Sequence, residues 1–329
     1  MYMFKYILKR LGLLIMTFAI IEIICFVLIR SLPINFAVIP GKDLEIIKRH
    51  YADLGFEVPG YPSKPMIVKF YLYIKNVLKG DFGTISMLPD YRTRKVADVF
   101  VSKLPPTILL NIYSTVFAVP LGIGLGIFAA LKKNKWQDQT ISTLVMLVIS
   151  VPSFVYAFLI QVVLCYYMGL FPLRMASLEE ASNNYFSWTM FRSMLPAVIA
   201  LSFSSIAGYC RGTRAELTEV LTNDYMLLAR TKGLTKGQAT IRHALRNAMV
   251  PIFPSIVGEF VSVLSGSLVI EKIFDINGVG GLYLMAIGTK DYDSFMFLSG
   301  FYILIGLLAS IVIDLSYGII DPRIRMGAK

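Results

Sequence analysis

Apolar residues gather in six long runs separated by polar, Lys- and Arg-bearing stretches: Leu11–Ile29, Thr107–Leu131, Ile141–Met168, Leu195–Tyr209, Val250–Ile270 and Phe295–Ile319. A helix needs about 20 apolar residues to cross the hydrocarbon core of a bilayer. Most of the runs reach that length, and Leu195–Tyr209 does so only if extended toward Met194 or Arg214. The pattern predicts an all-α membrane protein with about six transmembrane helices. Pro152 in the third run and Pro254 in the fifth are expected to kink those helices or to stand in their first turns. Gly122, Gly124 and Gly126 in the second run read as packing glycines that let helices approach, not as a nucleotide loop. The first run follows Lys5, Lys9 and Arg10, is too long for an ordinary signal core and leads straight into Arg30-Ser-Leu-Pro33. It is therefore expected to be a retained transmembrane helix.

The connections divide the chain into residues 1–30 with the first helix, an exterior segment 31–106, and a five-helix core 107–329. In the exterior segment, Phe70, Tyr71, Tyr73, Ile74 and Val77 recur at roughly helical spacing, which favours a small folded cap over a solvated linker. Lys79-Gly-Asp-Phe-Gly83 reads as a turn. Within the core, the connection at about 211–250 is longer than a plain link between two helices requires. Asn223 or Asp224 can cap a helix that Gly233 would end in a left-handed conformation, and Thr235-Lys-Gly-Gln238 reads as a capping box for the next. Tyr225, Met226, Leu228 and Ala229 give the first of these helices an apolar face, and Arg230 and Lys232 a basic rim. A stiff helical hairpin of this kind suits docking into a partner's groove.

Composition agrees with a bilayer protein: 56% of residues are hydrophobic and only 16% charged, against roughly 25% charged in soluble domains. The net charge of +11 could suggest nucleic acid, but Lys and Arg flank the apolar runs, as the positive-inside rule requires. Lys132, Lys133 and Lys135, the basic residues of the 211–250 connection, and Arg323, Arg325 and Lys329 all fall on one side, so both termini and the hairpin are expected in the cytoplasm. Cys25, Cys165 and Cys210 lie in apolar runs without metal-type spacing and read as packing residues. Two histidines, His50 and His243, cannot build a metal site alone, and His243 reads as a surface residue of the hairpin. No phosphate loop of the Gly-x4-Gly-Lys-Ser/Thr form is present, and Leu201-Ser-Phe-Ser-Ser205 has no base to serve a hydrolase. Glu22, Glu259 and Asp314 lie within apolar runs, where a charge must face protein or water. Glu259 is a candidate pore-lining group for a substrate amine or an interhelical hydrogen bond, Gln161 is a second polar candidate, and Glu22 and Asp314 lean toward packing roles.

Several motifs resemble one family. Asp224-Tyr-x-x-x-Ala-Arg-x-Lys-Gly-Leu234 and Arg242-His-Ala-Leu-Arg-Asn-Ala-x-x-Pro251 resemble the coupling loop of ATP-binding-cassette importer permeases of the dipeptide, oligopeptide and nickel type. Leu227-Leu-Ala229 with Gly233 stands where that family's Glu-Ala-Ala…Gly signature falls, keeping the last Ala and the Gly. The likeness continues through Leu28-Ile-Arg-Ser-Leu-Pro33, Leu78-Lys-Gly-Asp-Phe-Gly83, Leu104-Pro-Pro-Thr107, Ser150-Val-Pro-Ser-Phe154, Glu271-x-x-Phe274, Gly278-x-Gly280, Asp291-Tyr292 and Asp321-Pro-Arg-Ile-Arg325. It departs at Ile34-Asn-Phe36, at Ile276-Asn277 and at Asp293, where a Pro commonly follows the Tyr.

The resemblance implies a type I importer permease fold. It also implies a non-catalytic subunit of a peptide importer, of the oligopeptide B type before its dipeptide or nickel relatives, in a bacterial plasma membrane. No cofactor is expected in this chain; ATP and Mg would be bound by two ATPase partners. A homologous second permease would form the other half of the pore, and an extracytoplasmic substrate-binding lipoprotein would deliver the peptide. Residues Tyr225, Met226, Leu228, Ala229, Arg230, Lys232 and Gly233 would couple the ATPase to the pore. A secondary transporter, the rival of another class, should show inverted repeats and interrupted ion-binding helices, and neither is evident in the sequence.

Overall fold

The computed structural model describes residues 2–32, 44–53, 58–62, 64–85 and 88–320. The Ile34-Asn-Phe36 departure and the Asp321–Arg325 motif lie outside these residues. Helices account for nearly all of the regular structure, and among the described residues the only bridge between extended segments joins Thr84 to Lys95. The chain divides into two compact units, one of residues 1–104 and 281–307, the other of residues 105–280 and 308–329.

Among the described residues four helices are long and apolar enough to cross a membrane: α1 (Tyr2–Arg30), α4 (Val96–Leu131), α7 (Trp188–Leu221) and α14 (Tyr292–Ile320). A fifth crossing is available only if α5 (Trp136–Ser150) and the helix from Ser153 to Tyr167 count as one, because they meet at 100°. The break is local chemistry. Pro152 has no N–H to donate and forces the residue before it out of the helical region; Val151 accordingly adopts φ −95°, ψ 128°. Pro152 then serves as the N-cap of α6 (Ser153–Ile160), which continues as a π-helical turn over Gln161–Tyr167. The short fourth run becomes the 34-residue α7, about 51 Å long at 1.5 Å per residue.

The fifth apolar run corrects the six-helix expectation. It forms α11 (Ile252–Ser262), a turn, and α12 (Leu268–Ile273). Eleven residues span only about 17 Å, well short of the hydrocarbon thickness. Gly266 causes the interruption at φ +66°, a conformation side chains oppose. Pro254 stands in the first turn of α11, where its missing N–H costs nothing.

In the first unit, α2 (Leu44–Asp53) precedes α3 (Met66–Val77), which lays Phe70 and Tyr73 against Phe26 of α1, with ring centroids 5.3 and 5.2 Å apart. The helix expected around Phe70–Val77 is present, but Tyr71 points outward and is 62% exposed. The turn at 79–83 forms with Gly80 and Gly83 at positive φ. At Gly83 the requirement is double, since a Cβ there would stand 2.6 Å from an Asp293 carboxylate oxygen. Phe297 packs on Phe82 and Phe100 with ring centroids 4.7 and 5.1 Å apart, and Phe100 packs on Phe301 at 4.6 Å. Arg30 lies over the Phe26 ring. It lines a cavity of about 50 Å³ together with Tyr73, Asp81 and Asp293, so the Asp293 departure places a carboxylate in a polar pocket.

In the second unit, α7 is the post on which α5, α6, α11 and α12 pack. Gly122 and Gly126, one turn apart on α4, press against it: a Cβ on Gly122 would lie 2.7 Å from Tyr209 Cβ, and one on Gly126 2.6 Å from Thr213 Cβ. Gly124 has nothing within 4 Å, so only two of the three glycines serve close approach. Asp138, 2% exposed, accepts a forked pair of bonds from Arg214, the Nη2 bond at 2.8 Å, and a third from the Asn134 N–H at 2.9 Å. This ties α5 to α7. Cys165 and Cys210 are buried free thiols within apolar clusters.

Candidate functional site

The long basic connection folds as a capped hairpin at the end of α7. Its first helix, α8 (Asp224–Thr231), has Asn223 at the N-cap, but no side-chain hydrogen bond is made there. Its C-terminus is tightly closed. Gly233 adopts φ +92°, its N–H bonds to the Arg230 carbonyl at 3.0 Å, and the Leu234 N–H bonds to the Ala229 carbonyl at 3.4 Å. These are the two bonds of a Schellman motif, and Leu234 supplies the apolar contact that usually accompanies it. Two residues on, Thr235 and Gln238 form the expected reciprocal capping box, with bonds of 3.1 and 3.3 Å. The box starts α9 (Lys236–Ala239), which runs through a π-helical turn, Thr240–Leu245, into α10 (Arg246–Ala248). His243 is exposed on this arm.

A small internal core fixes the hairpin to its scaffold. Met226 and Ala229 of α8 and Ala239, Ala244 and Ala248 of the second arm pack with Ala130 of α4 and Leu217 and Val220 of α7. Met226 and Ala229 were expected on the outward apolar face; at 6% and 7% exposure they are fastened inward instead. The surface that α8 presents is formed by Tyr225, Leu227, Leu228, Arg230 and Lys232, with Leu227 66% and Leu228 56% exposed. Leu227, absent from the apolar face expected of this helix, belongs to the exposed surface. Its exposure follows from the position of Met226 and Ala229 on the opposite side.

Three further arrangements involve residues singled out by sequence. Glu259 on α11 accepts a 2.8 Å hydrogen bond from Ser205 on α7 and borders a cavity of about 340 Å³ with Tyr209, Glu216 and Ser255. Gln161 donates both amide hydrogens to backbone carbonyls, Ile273 at 2.7 Å and Leu173 at 3.1 Å, which leaves only its side-chain oxygen for other contacts. Glu271 is fully buried. It accepts from Thr107 Oγ1 at 3.0 Å and from the Gly280 N–H at 2.8 Å, while the Val279 N–H donates to Thr107 Oγ1 at 2.9 Å. The carboxylate thus sits at the N-terminus of α13 (Val279–Thr289), where the helix dipole favours negative charge. Gly266, Gly278 and Gly280 surround it so closely that a Cβ on any of them would come within 3 Å of Glu271 or Thr107. The motif residues Thr107, Glu271, Gly278 and Gly280 are therefore one clamp. Among the described residues no group of three or more His, Cys, Asp or Glu side chains could hold a metal ion.

Residues 122–326 match the family described as "Binding-protein-dependent transport system inner membrane component". The chain belongs to this family. Within it, the chain is 34% identical over 328 residues to the dipeptide transport system permease protein DppB of Lactococcus lactis subsp. cremoris, covering 98% of this chain and all of that one. It is 32% identical over 330 residues to DppB of Bacillus subtilis, covering 99% and 100%. It is 33% identical over 326 residues to the glutathione transport system permease protein GsiC of Escherichia coli K12, covering 98% and 99%. A crystal structure of an amino acid ABC transporter with histidines shares the fold, with a TM-score of 0.50 at 20% identity over 67% of this chain and 92% of that one. As a member of this permease family, the chain is a membrane component of a binding-protein-dependent transport system, and the hairpin lies wholly within the matched region.

Proposed function

We propose that this chain is the permease subunit of an ATP-driven peptide importer. In this reading it forms half of the translocation pore and receives the ATPase stroke through the 223–251 hairpin. The observation that carries the reading is the hairpin's construction: two helices capped at their shared reversal and bolted by an alanine-rich core to the ends of α4 and α7. A force applied at Tyr225, Leu227 and Leu228 is delivered through Met226 and Ala229 to Leu217 and Val220. From there it passes along α7, whose single unbroken helix carries Ser205, Tyr209 and Glu216. Arg230 and Lys232 on the rim set the register of docking by charge. The cavity beside Glu259 is a candidate stretch of the substrate path, with the carboxylate available to a peptide amine. Gln161 does not border that cavity, and its amide nitrogen is committed to the Leu173 and Ile273 carbonyls.

Peptide is the favoured cargo because the three relatives described above, which match along their full length or nearly so, are named for dipeptide and glutathione transport, and both are short peptides. Longer oligopeptides fit the same reading, as does a dipeptide-restricted importer. The assembly would contain a homologous second permease, two subunits that bind ATP and Mg, and an extracytoplasmic binding protein meeting the segment of residues 31–106. By the distribution of Lys and Arg, the hairpin and both termini face the cytoplasm.

The test is uptake of labelled di-, tri- and pentapeptides into proteoliposomes holding the complete complex. Uptake should require ATP on the hairpin side and binding protein on the other. Uptake that proceeds without ATP in response to an ion gradient would replace this reading with a secondary transporter.

A further inference from the structure

The end of α4, the turn that follows it, the end of α7 and the hairpin together border a cavity of about 540 Å³. Lys133 and Lys135 of the turn, Arg230 of α8 and Lys236 of α9 line it, against one carboxylate, Asp224. All four cationic residues are exposed, and none is in an ion pair among the described residues. Thr218 also lines the cavity. The N-terminus of α8 opens at the same place, since Asn223 caps it without a side-chain bond. Four cations and a helix N-terminus border one space, and the ligand they suit is a phosphate.

The surroundings indicate which phosphate. Leu131, 45% exposed, immediately precedes the basic turn, and Trp136, 72% exposed, immediately follows it. Exposed Trp beside the last apolar residue of a transmembrane helix marks the membrane–water interface. A basic pocket at that level between helix ends matches the headgroup of an anionic phospholipid. A freely soluble phosphate would gain nothing from the apolar frame.

We propose that this cavity holds the headgroup of an anionic phospholipid, which bridges the turn after α4 to the coupling hairpin and so holds α8 in its docking position. The binding step rests only on the membrane reading. Its effect on transport rests on the coupling role given above.

The test uses the complete complex purified from membranes that contain both phosphatidylglycerol and phosphatidylethanolamine, with bound lipid measured by mass spectrometry. The complex should retain phosphatidylglycerol selectively. A surface lysine contributes about fivefold to anionic lipid binding, so Lys133→Gln/Lys135→Gln should lower retention about 30-fold. Lys133→Arg/Lys135→Arg should restore it, and inorganic phosphate should not displace the lipid. In phosphatidylcholine nanodiscs, adding phosphatidylglycerol should raise ATP-driven peptide uptake by the wild type and not by the Gln pair. Equal retention by wild type and the Gln pair would overturn the proposal. Displacement by inorganic phosphate would overturn it in favour of a soluble anion. Loss of the ATPase subunits from the Gln pair, with lipid retention unchanged, would assign the cavity to the ATPase surface instead. A complex that keeps the lipid but imports no peptide would refute the peptide-importer reading and leave this one standing.

Discussion

Adding one methyl group at three neighbouring positions of α4 should have opposite consequences, and the geometry says which. Gly126→Ala would put a Cβ 2.6 Å from Thr213 Cβ and 2.7 Å from the Cys210 carbonyl oxygen, and Gly122→Ala would put one 2.7 Å from Tyr209 Cβ and 2.8 Å from the Ile206 carbonyl oxygen. Comfortable carbon contacts are about 3.5–4.0 Å, so α4 must back away from α7 by most of an ångström. The obstructing atoms include backbone, which cannot rotate aside. Overpacking of this kind costs about 1–3 kcal/mol, and the better helix propensity of Ala offsets up to about 1 kcal/mol. The net expectation is a loss of about 1–2 kcal/mol at either site. Gly124→Ala meets nothing within 4 Å and keeps only the propensity gain, so it should be neutral or stabilising by up to about 1 kcal/mol. Thermal inactivation of the purified complex, compared for the three single variants at one heating rate, reads the difference directly. Gly126→Ala and Gly122→Ala should melt below the wild type and Gly124→Ala at or above it. If all three behave alike, the close approach of α4 to α7 at these glycines is wrong.

Other perturbations test the remaining arrangements. Gly233→Val should strain the Schellman turn by about 1–3 kcal/mol, entirely through φ +92° because a Cβ there meets no atom within 4 Å. ATP-driven uptake at matched expression should collapse while membrane insertion survives; normal uptake with normal ATPase association would refute the coupling role. Glu271→Ala would leave the Gly280 N–H without its acceptor at about 1–3 kcal/mol, and hydrogen exchange over residues 266–280 should accelerate, more than for Glu271→Gln; unchanged exchange in the Ala variant would count against the clamp. Asp138→Asn should cost about 2 kcal/mol by weakening the forked bond to the partly exposed Arg214, and Arg214→Met in the same background should cost less than it does alone. Purely additive losses in that double-mutant cycle would mean that the two side chains do not interact.

What the sequence determined by itself is local. The hairpin's caps are contacts between residues three to five apart, so the residue types at Thr235, Gln238 and Gly233 settle the ends of α8 and α9 whatever surrounds them. The break before Pro152 is equally local, because the pyrrolidine ring acts on its immediate neighbour. Membrane class followed from the length of the apolar runs, with composition in agreement.

Tertiary structure decided everything that depends on which of two acceptable faces turns inward. Along α8 nearly every side is apolar, and periodicity cannot rank Met226 and Ala229 against Leu227 and Leu228. The choice is made by Ala130, Leu217 and Val220, apolar side chains brought from α4 and α7. Hydropathy likewise marked Val250–Ile270 as one run, because it measures burial in lipid or protein alike and is blind to the positive φ of Gly266. The Glu271 clamp joins groups 164 residues apart. Its members were visible as separate motifs, but only the folded chain shows that Thr107, Gly278 and Gly280 are constrained by the same buried carboxylate. Its charge has to be met by donors from wherever in the chain they come.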